Sequence, residues 1–176
     1  NQENARLQKE FESNNPAAAA KAAYDAGRYQ EAITKYKQAI ADESDNDQKA
    51  TMMLAIASIE LRKLSLYYQA RNNAYAAAKL KPGSGRTYIL KEDMYGKTAR
   101  SCGDSWNQRL AILAAMDKYS YAKSIDGSVS GEASDRLSTY YGSVPDKSEG
   151  FMRNFTEGQS ASVGCWIGET VRLRFK

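Results

Sequence analysis

A chain of 176 residues, 42% hydrophobic and 26% charged, holds enough apolar material to bury a real core. Its mean hydropathy is -0.66 and its apolar runs fall far short of the roughly 18 residues of a membrane span, which excludes direct insertion into a bilayer. The net charge of +4 is evenly spread, 12 basic against 10 acidic side chains in residues 1–82 and 13 against 11 in residues 83–176, so no basic block points to nucleic acid.

The opening segment NQENARLQKEFESNN has no basic start followed by an apolar run and is not itself a signal peptide. The first clear unit follows it. An Ala-rich stretch predicts a helix over about residues 16–25, and Gly27 suits the tight turn after it because glycine tolerates a left-handed backbone. In YQEAITKYKQAIA the apolar or small residues Tyr29, Ala32, Ile33, Tyr36, Ala39 and Ile40 make one stripe of an amphipathic helix, so the two helices form an antiparallel hairpin.

A second pair is predicted between Asp47 and Leu80, from DQKATMMLAIASIELRKLS and LYYQARNNAYAAAKL. Pro82, lacking an amide hydrogen, ends it, and residues 81–85 are a firm break. RTYILKEDMYGKTARSC and WNQRLAILAAMDKYSYAKSID form a longer third pair, with Asp104 or Ser105 as the cap of its second helix. A shorter helix follows over about residues 131–141, and KSEGFMRNFTEG suggests another short one.

The tail then changes period. Ala161, Val163, Cys165 and Ile167 fall on one side and Ser162, Gly164 and Trp166 on the other, while Val171, Leu173 and Phe175 oppose Arg172, Arg174 and Lys176. Alternation of period two predicts two strands with a turn near IGE, a frayed or extended C-terminus being the alternative.

The spacing in the first pair resembles the tetratricopeptide repeat, a 34-residue helix-turn-helix unit with small and aromatic residues at set offsets. The matching positions are Gly27, Tyr29, Ala32, Tyr36 and Ala39; then Ala70, Ala77 and Pro82, with Ala74 where a large aromatic is usual; then Ala115, Tyr119 and Ala122, with Gly127 in place of proline. The chain, including ARSCGDSWNQRLAILAAMDKYSYAKSID and EGQSASVGCWIGETVRLRF, also resembles the C-terminal region of exported tetratricopeptide proteins of Bacteroides-type bacteria. The resemblance implies a periplasmic or outer-membrane-associated location, with a signal segment outside this chain, and supplies no catalytic residues. In such an oxidising compartment Cys102 and Cys165 would pair in a disulfide; two reduced, buried cysteines are the alternative.

No motif specifies catalysis. Histidine is absent, which excludes a Ser-His-Asp triad, a Cys-His dyad and every histidine-ligated metal site within the chain. KPGSGRTYI lacks the full phosphate-loop pattern, DESDND reads as a solvated loop, and Glu92 with Asp93 shows no convergence with a reactive partner.

The expectation is therefore an all-α, tetratricopeptide-like superhelix of antiparallel helix hairpins over residues 1–144, with a C-terminal extension over 145–176 that ends in a small β-hairpin packed on the repeats. It predicts a noncatalytic scaffold or adaptor of the bacterial envelope, without cofactor or metal, whose partner is an envelope protein or peptide segment. Lys21, Tyr24 and Glu60 are candidate contacts on the first helices of the hairpins. The alternative is a carbohydrate-binding module of an envelope polysaccharide system using Trp106 and Trp166, residues that repeat packing would equally place in the core. An enzyme built from carboxylates and tyrosines is a more distant third.

Overall fold

The computed structural model describes residues 2–176. They fold as an all-α chain of antiparallel neighbouring helices that ends in a small two-stranded antiparallel sheet. The chain divides into two compact units, one running to Pro82 and one from Gly83 to Lys176, at the break that Pro82 predicts.

The first unit contains α1 (Gln2–Asn14), α2 (Pro16–Asp25), α3 (Tyr29–Asp42), α4 (Asn46–Arg62) and α5 (Tyr67–Leu80). Asn15 starts α2 by accepting the Ala18 amide at 3.1 Å, and Pro16 occupies the first turn, where a missing amide hydrogen costs nothing. Gly27 turns the chain into α3 with φ of 75°, the left-handed conformation expected of it. Asp45, inside the segment read as a solvated loop, caps α4 by accepting the amides of Asp47 and Gln48.

α2 packs on α3 and α4 on α5, with α3 and α4 joining the two pairs. Alanine lines these contacts: Ala20, Ala23, Ala32, Ala50, Ala57, Ala70, Ala74 and Ala77 are all buried, and Ile33, Ile56 and Ile59 fill the space between. Small side chains let helix axes approach closely, so packing rather than helix propensity holds the short hairpins. α1 was not legible in the sequence. Its large apolar residues, Leu7 and Phe11, stand one turn apart in an otherwise polar segment and are 51% and 56% exposed, so they form no buried apolar face.

The second unit contains α6 (Gly85–Thr98), α7 (Ser105–Ile125), α8 (Ser130–Tyr140), α9 (Lys147–Met152), β1 (Ser160–Ser162) and β2 (Thr170–Arg172). Single 3-10 turns follow α6 and precede and follow α8. Asp104 caps α7 through the Asn107 amide at 2.9 Å, as the sequence suggests. α7 is the central element, packed against α6, α8 and β2, and Leu110, Leu113, Ala115, Tyr119 and Ala122 are buried along it. The tail from residue 145 lies within this unit.

The strands are shorter than the alternation suggests. Ala161 pairs with Val171, and both point inward with Val163, Ile167 and Leu173, while Ser160, Ser162, Thr170 and Arg172 face solvent. Cys165 departs from its predicted side: it is exposed, with φ of 59°, because the chain has already left the extended conformation there. The connection thus spans residues 163–169 rather than a tight turn at IGE.

The alanine seam makes the first unit sensitive to added volume. Ala74 on α5 is fully buried. Ala74→Phe is expected to cost about 1–3 kcal/mol by overpacking the α4–α5 crossing, read as a lower urea midpoint with little change in slope.

Candidate functional site

The residues singled out from the sequence separate into two groups. Lys21 and Tyr24 lie on the surface of α2, where Lys21 pairs with Asp25 at 2.7 Å. Tyr24, 37% exposed, meets Tyr29 at 5.7 Å between ring centroids, and the Lys63 ammonium lies over both rings at 5.9 and 5.5 Å. Glu60, proposed as a neighbouring contact, is not offered to a partner. It is only 5% exposed and accepts a 2.8 Å hydrogen bond from Asn73, and burial raises its carboxyl above the usual range against the opposing effect of that bond.

In the second unit the other four residues serve packing. Cys102 and Cys165 are joined in a disulfide with a Cα separation of 5.1 Å, tying the end of the 3-10 turn after α6 to the strand connection. Trp166 donates its indole N–H to Thr98 Oγ1 at 3.1 Å and meets Tyr95 edge to face at 5.6 Å. Trp106, 5% exposed, stacks on Phe155 with the Arg153 guanidinium 5.3 Å from its ring. A stacking platform needs an open indole face, and Trp106 is nearly fully buried among these partners. Both indoles thus help to hold the tail in place.

What sequence reading missed is the charge built into α6. Lys91, Glu92 and Asp93 follow one another in the middle of this helix; the first two are buried and Asp93 is half-buried. Asp93 accepts the Tyr119 hydroxyl at 2.8 Å and the Arg136 guanidinium at 3.1 Å. Tyr119 in turn stacks on Tyr140 at 6.1 Å with nearly parallel rings. Burial, followed by the Asp93 charge, pushes the Tyr119 hydroxyl far above its ordinary range, which fixes it as a donor.

A second carboxylate arrives from the strand connection. Glu169 accepts the Tyr95 hydroxyl and lies 3.0 Å from the Lys118 ammonium. Burial disfavours its charge, but the Tyr95 and Lys118 hydrogen bonds outweigh that and hold its carboxyl below the usual value. Glu92 has no such support: both its carboxyl oxygens are buried without a hydrogen-bond partner. Its carboxyl is pushed well upward, first by burial and further by Glu169 and Asp93, against the attraction of Lys91 and Lys118. Its neighbours in sequence did not reveal this, because burial is the main cause and two of the surrounding charges, Lys118 and Glu169, come from α7 and the strand connection.

A cavity of about 620 Å3 opens between the C-terminal end of α6, the first two turns of α7 and the turn after α8. Gly96, Lys97, Ala99, Arg100, Ser105, Gln108, Arg109, Ile112, Tyr140, Gly142 and Ser143 line it. A side chain at position 96 would place its Cβ 2.1 Å from the Tyr140 hydroxyl, so glycine is what allows Tyr140 to close that wall. Among the described residues no group of three or more Cys, Asp or Glu side chains is arranged to hold a metal ion, and no helix is long and apolar enough to cross a membrane. No protein-family model, curated protein or solved structure matches this chain.

The Glu92 environment sets a pH dependence. Because its folded-state value lies above the ordinary glutamate value, the native state binds the proton more tightly than the unfolded chain. Stability from this group is fully present below pH ~4.5 and is lost as pH rises toward the folded-state value. Glu92→Met is therefore expected to stabilise the protein by about 1–3 kcal/mol near neutral pH by removing an unsatisfied buried group. In denaturant titrations the gain should widen between pH 4 and 7; a gain that is constant or shrinks over that range would contradict the assignment.

Proposed function

We propose that this chain is a noncatalytic scaffold of the bacterial cell envelope that binds a protein or peptide segment through its first unit. The observation that carries this reading is the alanine-lined stacking of α2–α3 and α4–α5. Stacked helix hairpins are stabilised by contacts between neighbours, which leaves their outer faces available to hold an extended segment or a partner helix.

Tyr24 with Tyr29 and Lys63 is the candidate contact on this unit. It combines partly exposed ring area with a cation, the kind of surface on which a few residues carry most of the binding energy. The Cys102–Cys165 disulfide supports the envelope location, because disulfides persist in oxidising compartments and are rare in reducing cytosol. The resemblance to exported tetratricopeptide proteins points the same way.

A photocrosslinking residue at position 24, expressed in the native bacterium, is expected to give one reproducible adduct with an envelope protein. Lys63→Glu should lower the yield of that adduct several-fold, since it reverses the charge beside both rings. Adducts only with other copies of the chain, or an adduct equally strong with Lys63→Glu, would overturn the reading.

A further inference from the structure

The cavity of the second unit has no part in the scaffold reading, and its lining is chemically one-sided. Lys97, Arg100 and Arg109 contribute three cations, and no carboxylate lines it. Several other cations of this unit meet acids: Lys118 meets Glu169, Arg136 meets Asp93 and Arg174 meets Asp117. Arg109 follows that pattern, paired with Asp146 and Glu149 and donating to the Val144 carbonyl, and so serves to build the wall. Lys97 and Arg100 differ. Both are exposed, and neither has an ion pair or hydrogen bond among the described residues.

Their positions suit convergence on one ligand. Lys97 is in the last turn of α6 and Arg100, three residues on, in the following 3-10 turn, so both project to the same side of the chain. Surface cations at a helix C-terminus are ordinarily explained by the helix dipole. That explanation requires no concavity, whereas these two side chains line a cavity that Tyr140 and Ile112 also line. The Tyr140 hydroxyl has no hydrogen-bond partner among the described residues, and its titration is pushed upward, first by burial and then by the Asp93 charge, so it stays a donor at neutral pH. A volume of about 620 Å3 lies within the range that holds a small organic ligand.

We propose that this cavity binds a small oxyanion-bearing molecule, its phosphate or carboxylate group held by Lys97 and Arg100 and its body seated against Ile112 and Tyr140. Arg100 supplies planar, paired donors and Lys97 a mobile point charge, a combination that recognises either kind of oxyanion. Tyr140 provides a neutral donor toward the body of the ligand. This site is independent of the Tyr24 surface, and neither proposal requires the other.

The test is a titration of the isotopically labelled full chain followed by amide NMR at constant ionic strength. The probes are inorganic phosphate, glucose 6-phosphate, glucuronate and neutral glucose. At least one anionic probe is expected to give saturable shifts concentrated at residues 96–100, 108–109 and 142–143, with glucose giving none. Phosphate and carboxylate arms then identify the preferred head group. The Lys97→Ala/Arg100→Ala variant, altered only at exposed side chains, should bind about tenfold or more weakly while the rest of its spectrum is retained. Shifts absent with every anionic probe, shifts scattered over basic residues elsewhere, or undiminished binding by the double variant would each overturn the proposal.

Discussion

The second unit depends on the seating of its C-terminal tail against α6 and α7. Two strands of three residues each do not persist alone in water. Here they are held from three directions: Val171 and Leu173 bury an apolar face in the α7 core, Trp166 and Glu169 hydrogen-bond to Thr98 and Tyr95 of α6, and the disulfide ties Cys165 to Cys102. In the chain-entropy view a link across 63 positions restricts the unfolded chain by about 4 kcal/mol, a large fraction of the stability of a domain this size. The sheet is consequently part of the core rather than an appendage to it.

The same seating explains how α6 carries so much charge. A helix with Lys91, Glu92 and Asp93 in succession would ordinarily turn that stretch to water. Instead α7 brings Lys118 and Tyr119, α8 brings Arg136 and the strand connection brings Glu169, so that Asp93 and Glu169 are each neutralised by donors from other elements. Glu92 is left without a hydrogen bond in the middle of this network, and burial pushes its carboxyl well above the usual range. Four residues further along α6, Gly96 marks the change from a packed interior to the cationic cavity. The unit thus places a charge-satisfying network and an open, acid-free recess along one helix.

The sequence made the packing legible wherever packing alone decides the structure. The Ala-rich runs, the left-handed glycine at position 27, the stop at Pro82 and the cap at Asp104 all read correctly because each is a local rule with one strong solution. The inward positions Ala161, Val163, Val171 and Leu173 were readable from alternation for the same reason. α1 was missed because Leu7 and Phe11, one turn apart in an otherwise polar segment, make too short a stripe to mark a helix. Glu60 was misplaced because its partner, Asn73, lies on a different helix, and a carboxylate in sequence looks solvated until that partner is found. The cavity and the Asp93–Tyr119–Arg136 network were beyond reach on similar grounds: each joins side chains from three elements, and linear spacing carries no record of their meeting.

The most direct test is hydrogen exchange at the tail amides. Those of Val163 and Leu173 donate to the carbonyls of Glu169 and Gln159. If the tail is part of the core, these two amides should exchange in the oxidised protein about as slowly as that of Leu113 in the middle of α7, and reduction should accelerate them well ahead of Leu113. Exchange of Val163 and Leu173 at free-peptide rates in the oxidised protein, with Leu113 still protected, would contradict the account.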